Sequence, residues 1–558
     1  MKLSDNLRRR GWRKSILGDH IALSNGKGIT SSQMEADKPI PVYGSGSIIG
    51  YTDKPLVFYD TIVIGRVGAC GTVQIAKAPC WISDNAMYVT QIKPGLDFHF
   101  LFFLLNYLRL GTLASRTTQP SLPQGPILNH DFPLPPLPVQ ERIVQILQKA
   151  DEIRRKRKEA LELADKILPA LFLEMFGDPA TNPKGWPIHR LGDVLQSCNS
   201  GVWGKQTSDE SRGFYVLRST NMPLDGRIDY SDVALIEIPD KKAQRYALQD
   251  GDILLNRSSG SPEHIGKVSL FRQKPEIHKP ILFSNFVQRL RVNPEVMTPE
   301  YLFFFLRSDF ARESLNKLHA TSSGLRNIQM KEYLAQEVPV PPLPLQQYFS
   351  QVVILYEGVW KRRADTFQTS ETLFQTMLVQ AFTGELTAEW EAANAEWIAE
   401  RQAFYERLPR LVILALLAEK AKRAGRAAAT VLITALMKYV FLFQMEGNGG
   451  RRRLYQFVPY HYGPFSKEVY ADLEALEQEG LVRVEKDPEE EKTKITLADA
   501  AKIEERLAML PDDIKQDVAV IIETYGDLDH ATLLSTVYEK YPAYARKSQL
   551  KRKGRRAQ

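Results

Sequence analysis

The sequence predicts an α+β chain of several domains: two tandem strand-rich copies of one domain, each followed by a long helix, and then a helical C-terminal module. The two long helices are expected to pair as an antiparallel coiled coil. Three observations predict this plan: an ordered internal repeat, a three–four apolar spacing after each copy, and a change of pattern beyond about residue 400. The length of 558 residues suits three or four domains at about 150 residues each. With 44% hydrophobic and 25% charged residues the composition is that of an ordinary globular protein, which excludes a wholly disordered chain, a collagen and a disulfide scaffold.

The repeat comes first, because missing one misreads the fold. Leu17-Gly18-Asp19 returns as Leu191-Gly192-Asp193, and TIVIGRVGACGTV (Thr61–Val73) as DILLNRSSGSPEHIGKV (Asp252–Val268). In both, a β-branched run leads into an Arg in a Gly/Ser loop and then Gly-x-Val. Asp84-Asn85 answers to Ser284-Asn285, FLFFLL (Phe100–Leu105) to YLFFFL (Tyr301–Leu306), and FPLPPLPVQ (Phe132–Gln140) to VPVPPLPLQ (Val338–Gln346). Divergence and insertions sit in the loops, as expected of two related scaffolds with different targets; a duplicated structural domain without shared function is the blander alternative. Each copy ends in a Pro-rich run that resists helix, since Pro lacks an amide donor and restrains the residue before it.

A long helical pattern follows each copy. Stepping alternately by four and three from Ile146 gives Ala150, Ile153, Arg157, Ala160, Ala164, Ile167 and Leu171, with seven of the eight apolar. This is the spacing of a coiled-coil seam. The equivalent positions of the second copy, 206 residues on, are Val352, Tyr356, Val359, Arg363, Thr366, Ser370, Leu373 and Met377, with five of eight apolar. Two ordinary core helices are the alternative, but length and placement favour a spacer of about 45 Å for thirty residues. Pro169 is expected to kink or end the first helix.

Net charge is +7, from 73 Lys+Arg against 66 Asp+Glu, which permits an acidic partner without demanding one. The three cysteines, Cys70, Cys80 and Cys198, form no CxxC pair; a reducing, cytoplasmic location is expected. The N-terminal residues show no apolar signal-peptide core. Phe98–Leu110 and Val431–Phe443 are apolar but interrupted by His99, Asn106, Arg109, Thr434 and Lys438, so core burial is expected rather than a membrane span. The Gly-Lys pairs at Gly26, Gly204 and Gly266 lack the Ser/Thr of a phosphate loop. No Asn-Pro-Pro-aromatic tetrapeptide is present, and the nine histidines lack HExxH or paired-ligand spacing.

Residues 12–385 resemble the specificity (S) subunits of type I restriction–modification systems. The resemblance is carried by PLPPLPVQERIVQIL and PVPPLPLQQYFSQVV, by ALFLEMFGDP at the end of the first helix, and by the two GRVGACGTV-like loops. It implies that each copy is a target recognition domain reading one half of a split site in double-stranded DNA, with the helices as a ruler. It also implies a chain without catalysis or cofactor of its own. Methyltransferase (M) subunits would carry S-adenosylmethionine, and a restriction/motor (R) subunit would use ATP and Mg. The implied boundaries are 1–137 and 179–343 for the recognition domains, 138–178 and 344–385 for the spacer helices, 386–400 for a linker, 401–545 for the C-terminal module and 546–558 for a basic tail. A DNA-binding regulator or antitoxin-like adaptor on the same scaffold, or the specificity subunit of a methylation-only phage-defence system, are the competing readings.

Base reading needs Arg, Asn, Gln and Ser at groove edges, and phosphate contact needs Lys, Arg and loop amides. The first copy offers Arg66 in its Gly-rich loop, Asn85 in a turn, and Gln119, Ser121 and Gln124 in a late polar loop. The second offers Lys205 after Trp203, then Asn256, Arg257 and Ser258, then Ser284 and Asn285, and a late loop with Ser323, Arg326 and Asn327. Each has a bland alternative: a strand-end arginine, or an asparagine that caps a turn. The run Arg154–Lys158 reads first as a solvated helix face, with Glu152, Glu159 and Glu162 at pairing distance.

In the C-terminal module, Leu411–Leu417 and Thr430–Phe443 read as buried helices. Gly463-Pro464 is expected to start a helix that Gly480 ends, with strands at Leu481–Glu485 and Lys494–Leu497 around an acidic turn, Asp487–Glu491. Helix, strand, wing and strand is winged-helix order, and Tyr-Gly-Pro-Phe-Ser with Glu-Gly-Leu-Val resembles Panacea-type antitoxin domains. The acidic turn argues against a wing on phosphates and for a protein partner. The basic tail would add salt-sensitive, non-specific affinity for nucleic acid.

Overall fold

The computed structural model describes residues 5–115, 120–273, 279–316, 326–425, 430–447, 454–487 and 492–545. It divides into two compact units, residues 1–152 with 372–558, and residues 153–371.

Both units contain one copy of the repeat, on the same plan. In the first, the strands Ile21–Asn25, Ala86–Ile92, Thr61–Gly65 and Val73–Ala76 lie side by side in that order, all antiparallel. The second has Leu195–Ser200, Val287–Val292, Ile253–Asn256 and Val268–Leu270 in the same order and sense. The β-branched run Thr61–Gly65 is buried along its whole length, as a central strand covered on both faces should be. A second sheet recurs too. Ile40–Tyr43 pairs antiparallel with Ile48–Thr52 and parallel with Trp81–Ile82. Gly213–Leu217 likewise pairs antiparallel with Ala234–Glu237 and parallel with Ile281–Phe283. The start of each Pro-rich run is a strand: Asp131–Leu134 pairs with Arg13–Ile16, and Glu337–Pro339 with Ile188–Arg190. Its prolines then enter the first turn of the next helix, where a missing amide costs nothing, so the helices begin at Leu137 and Leu343.

One side chain in each copy joins domain to helix. Gln140 is wholly buried. Its Oε1 accepts from the Asp97 amide at 2.8 Å, and its Nε2 donates to the carbonyls of Gly95 (2.8 Å) and Pro135 (2.9 Å). Gln346 repeats the pattern with the Thr298 amide (3.0 Å) and the carbonyls of Val296 (3.2 Å) and Pro341 (2.7 Å). Asp97 and Thr298 are in turn the N-caps of the short helices Phe98–Tyr107 and Pro299–Arg307. Each glutamine thus closes three backbone groups at the junction of domain and helix, some buried and some at its edge.

Each core is finished by two helix segments. In the first unit Val139, Ile143 and Leu147 pack with Phe374, Leu378 and Phe382, and the Phe100 and Phe382 rings meet at 5.3 Å. In the second, Phe349 and Val353 pack with Phe172 and Phe176, whose ring meets Phe349 at 5.3 Å. Within the second unit the helices run in opposite directions: Arg154 Nη1 lies 3.1 Å from Glu371 Oε1, Arg157 Nη1 donates to the Thr366 carbonyl at 3.4 Å, and Tyr356 donates to the Ala164 carbonyl at 2.6 Å.

The seam differs from the expected one at every second position. Ala150, Arg157, Ala164 and Leu171 keep their places, but Leu147, Arg154, Leu161 and Leu168 face inward where Ile146, Ile153, Ala160 and Ile167 were expected; Ile153 is 52% exposed and Ile167 47%. The second helix shifts the same way, with Val353, Trp360, Phe367 and Phe374 replacing Val359 and its equivalents, and Leu373 is exposed. The first helix breaks at Asp165-Lys166 and resumes as Ile167–Phe176. The break falls four residues before Pro169, where the ring would strike the carbonyl of residue i−4. The equivalent helix, Leu343–Thr383, has no proline there and is unbroken.

The stretch 386–400, expected as a linker, is largely helical. It forms the helix Ala388–Ala393 and the start of Ala395–Arg423. Its Glu391, 4% exposed, accepts from Arg10 Nε (2.8 Å), Trp12 Nε1 (3.0 Å) and Thr387 Oγ1 (2.6 Å). Beyond it, Leu411–Leu417 and the helix Ile433–Glu446 are buried as expected. Gly463-Pro464 belongs to a hairpin, Val458–Tyr460 with Gly463–Phe465, and the helix starts at Lys467. Gly480 follows the end of that helix with φ 72°. Strands Val482–Asp487 and Lys492–Leu497 pair, and Val431–Leu432 adds a third. The expected acidic turn, apart from Asp487, and the basic tail lie outside the described residues.

Replacing Gln140 by Leu leaves one amide and two carbonyls in the first junction without partners. At about 1–3 kcal/mol per unsatisfied buried group, the first unit should melt several degrees lower in scanning calorimetry, with the second unit unchanged. Gln346→Leu should do the reverse.

Candidate nucleic-acid interface

The expected contact residues gather at one end of each four-stranded sheet, where three loops meet. In the first copy the Arg66 amide donates to the Asn85 carbonyl at 2.9 Å, and the Arg66 carbonyl accepts from the Leu122 amide at 2.8 Å. Val67 also bridges Ser121. In the second copy the Arg257 amide donates to the Phe286 carbonyl at 3.0 Å, and its carbonyl accepts from the Ile328 amide at 3.0 Å. Ser258 and Ser259 pair with Asn327 and Arg326. Both arginines are therefore clamped by backbone between an early turn and a late loop, and both side chains remain half-exposed.

The turn that meets each arginine is a serine-started reversal, closed by Ala86 N to Ser83 O (3.1 Å) and Val287 N to Ser284 O (2.9 Å). This changes the expected alignment by one residue. Asp84 is the counterpart of Asn285, and Asn85 is the counterpart of Phe286. Phe286 is 51% exposed, an apolar ring at the position where the first copy carries an amide. Sequence matching hid it because the repeated asparagines attracted the alignment.

A fourth strand reaches the same turn in each copy. Gly26 donates to the Ala86 carbonyl at 2.9 Å and Lys27 to that of Ile82 at 2.9 Å; Gly201 and Val202 do the same with Val287 (3.2 Å) and Phe283 (2.9 Å). A Cβ on Gly26 or Gly201 would lie 2.1 Å from a backbone oxygen of the turn, so only glycine allows the approach. Lys27, exposed beside this contact, is a further cation that sequence reading missed; the paired glycines were its signal. Lys205 is exposed on the short strand Lys205–Gln206.

The remaining candidates divide. Arg66 donates from Nη1 to the Asp84 carbonyl at 3.2 Å. Gln124 donates to Asn25 Oδ1 at 2.9 Å and so ties the late loop to the first strand. Asn85, Asn285 and Asn327 are exposed, and Ser121, Gln124 and Arg326 are half-buried. Asn256, Ser258 and Ser284 are not surface groups. Asn256 is 1% exposed and donates to the His264 carbonyl at 2.7 Å; Ser258 donates to Asn327; Ser284 is buried in the turn. Their role is to hold loops, because a polar side chain in a strand end is cheapest when it closes local backbone or side-chain bonds. Gln119 and Ser323 lie outside the described residues.

The basic run Arg154–Lys158 is part seam and part surface: Arg154 and Arg157 reach the partner helix, while Lys158 lies 3.9 Å from Glu162 on the outside. The cysteines are free thiols, and burial pushes the Cys80 thiol up to about 12. Among the described residues no helix is long and apolar enough to cross a membrane.

Both copies thus carry one strand-and-loop frame, each with its own set of polar side chains at the same end. The family model for the type I restriction modification DNA specificity domain matches residues 9–163 and 183–353, together more than half of the chain. The chain belongs to this family. The specificity subunit of the type I restriction enzyme EcoKI from Escherichia coli (strain K12) is 25% identical over 315 residues, 54% of this chain and 66% of that one. The StySPI specificity subunit of Salmonella potsdam is 22% identical over 289 residues, 49% of this chain and 61% of that one. The matches thus span about three fifths to two thirds of these relatives. The crystal structure of a type I restriction–modification S subunit from M. genitalium aligns with 68% of this chain and 98% of its own, at 16% identity and a TM-score of 0.46.

Gly201→Ala should force the turn at Phe283–Ser284 to move. Overpacking of this kind costs about 1–3 kcal/mol; hydrogen exchange at Ser284–Val287 should speed up, while Ser83–Ala86 stays protected.

Proposed function

We propose that this chain is the DNA-sequence-specificity subunit of a type I restriction–modification complex. Residues 1–137 and 179–343 are its two target recognition domains, each reading one half of a bipartite site in double-stranded DNA. The helices of 138–178 and 344–385 form an antiparallel coiled-coil spacer and dock methyltransferase subunits, through which a restriction/motor subunit joins. S-adenosylmethionine, ATP and Mg belong to those partners, and the complex is cytoplasmic. The C-terminal module is a winged-helix-like adaptor for another protein.

One observation carries this reading: the same three-loop clamp on an arginine occurs in both copies, with different side chains presented around it. In the first, Arg66, Asn85, Gln124 and Lys27 stand at the rim; in the second, Arg257, Asn285, Phe286, Arg326 and Asn327. Arginine forks read guanine edges, amides read adenine, and an apolar ring can pack on a thymine methyl. A fixed frame with exchangeable side chains is what two half-sites of different sequence require. The connecting backbone bonds do not depend on side-chain identity, so the frame can be kept while the reading changes.

Expressed with methyltransferase subunits and mapped for adenine methylation across a genome, the chain should direct modification to a split motif. Arg66→Ala should relax only one half of the motif, and Arg257→Ala or Phe286→Ala only the other. A lost bidentate base contact should cut discrimination by about 1–3 kcal/mol. An intact complex whose motif changes in neither half would overturn the assignment of these loops.

The spacer is tested separately. Four residues inserted near Ala160 lengthen a helix by about 6 Å and should widen or shift the gap between half-sites while leaving both halves unchanged. An unaltered gap would count against a rigid spacer.

A further inference from the structure

Among the described residues nothing offsets the cost of burying Lys438. It lies within the helix Ile433–Glu446, 2% exposed, between the core residues Met437 and Tyr439. Among the described residues no carboxylate, carbonyl or hydroxyl partners its ammonium. Burial alone acts on it and pulls its pKa down to about 8. An aliphatic stem in a core is cheap, but an ammonium without a counter-charge is not, and buried charges are normally paired.

Two further elements meet at this side chain. The hairpin turns at Gly463, with φ 94°. A Cβ there would lie 3.4 Å from Lys438 Cε, 3.3 Å from Leu534 Cδ1 and 3.2 Å from the Tyr538 ring. His530, Leu534 and Tyr538 follow at four-residue steps along one face of the helix His530–Lys540. His530 Nε2 is closed off from solvent and has no hydrogen-bond partner among the described residues. Its pKa is lowered, first by burial and then by the Lys438 charge, so the ring is neutral near pH 7. The same hairpin carries an exposed aromatic strip: Tyr460 and Tyr462 on the hairpin and Tyr470 on the next helix are 43–50% exposed. The Phe465 ring lies 4.8 Å from Tyr460 and 5.7 Å from Tyr470.

We propose that Lys438 and His530 form a carboxylate-binding site in the C-terminal module, and that its occupant is an acidic peptide segment of a partner protein whose neighbouring side chains pack on the tyrosine strip. One ammonium balances one negative charge. A neutral imidazole adds a hydrogen bond and no second charge, so a carboxylate suits the site and a phosphate dianion is left half-compensated. The tyrosines have an apolar body and a polar tip, the amphipathic character common at protein interfaces. The proposal does not depend on how the loops bearing Arg66 and Arg257 read DNA.

Calorimetric titration of the full chain with the blocked peptides Tyr-Glu-Tyr and Tyr-Gln-Tyr, which differ by one charge, tests it. The Glu peptide should bind at least tenfold tighter than the Gln peptide. Lys438→Met should abolish that ratio, and His530→Phe should reduce it. Without peptide, Lys438→Met should melt no lower than the parent chain, because it removes an uncompensated charge and keeps the stem. Equal binding of the two peptides, or an unchanged ratio in Lys438→Met, would overturn the site. So would a lower melting point for ligand-free Lys438→Met, which would mean that the folded chain already partners the ammonium. Inorganic phosphate binding more tightly than the Glu peptide would replace the carboxylate with a phosphate ligand and equally defeat the proposal.

Discussion

The constraint on which each unit depends is a buried carboxamide. At the end of each copy the chain leaves a strand, passes two prolines and enters a long helix. Prolines supply no amide there, and the Pro135 and Pro341 carbonyls lie in the buried junction, with a loop carbonyl and the capping residue's amide beside them. A side chain with one acceptor and two donors in a plane can satisfy three of these groups at once. Gln140 and Gln346 do so with equivalent partners. A carboxylate has no donor for the carbonyls, and an aliphatic residue satisfies nothing. Once the glutamine is placed, the first turns of the helix are fixed against the domain, and the apolar residues one and two turns on fall into its core. The short capped helix, the central sheet and the clamped arginine loop are all built outward from that junction.

Much of this was legible in the sequence, because repetition is legible. The two copies, their order, the buried strands and the long helices all follow from matched segments and spacing. The misreadings have physical causes. The seam was read from apolar residues, yet at Arg154 a guanidinium on a long aliphatic stem fills the inward position by reaching Glu371, while Ile153 is left outside. Stepping by hydrophobicity therefore selected the neighbour at every second position. The segment 386–400, expected as a linker between two patterned regions, holds Glu391 buried against Arg10 and Trp12, more than half the chain away in sequence. No local pattern reports a partner at that separation. Phe286 was missed for a third reason: loops have no periodicity, so one matching asparagine was enough to misalign the turn.

The clamp around the arginines explains how two copies can keep one shape and diverge in chemistry. Its bonds run between main-chain amides and carbonyls, and the only side chains it requires are the glycines where one strand presses on the turn. Everything at the rim is free of that requirement. Asp84 and Asn85 correspond to Asn285 and Phe286, and Gly26-Lys27 corresponds to Gly201-Val202. Conversely, the residues that the fold does need are drawn inward. Asn256, Ser258 and Ser284 are polar and lie next to the clamp, but their atoms are used to hold it. Proximity to a recognition loop is therefore a poor guide to contact; exposure and spare hydrogen-bonding capacity decide.

The same criterion separates the charges of the chain. Its net +7 is the difference between 73 Lys+Arg and 66 Asp+Glu, and several of the cations are held in ion pairs: Arg291 by Asp252, Arg272 by Glu300 and Glu357, Arg410 by Asp472, Arg10 by Glu391. Such pairs hold elements together and offer little to an outside ligand. The cations left over are of two kinds. Arg257, Arg326 and Lys27 beside the turns and Lys205 on its short strand are at least partly exposed, so water solvates them and their attraction for anions is long-ranged and salt-dependent. Lys438 is the other kind, desolvated already, so its attraction is short-ranged and selective for a group that can enter the site. The difference is one of desolvation rather than of charge: it separates cations that attract anions through water from one that has already lost most of its water.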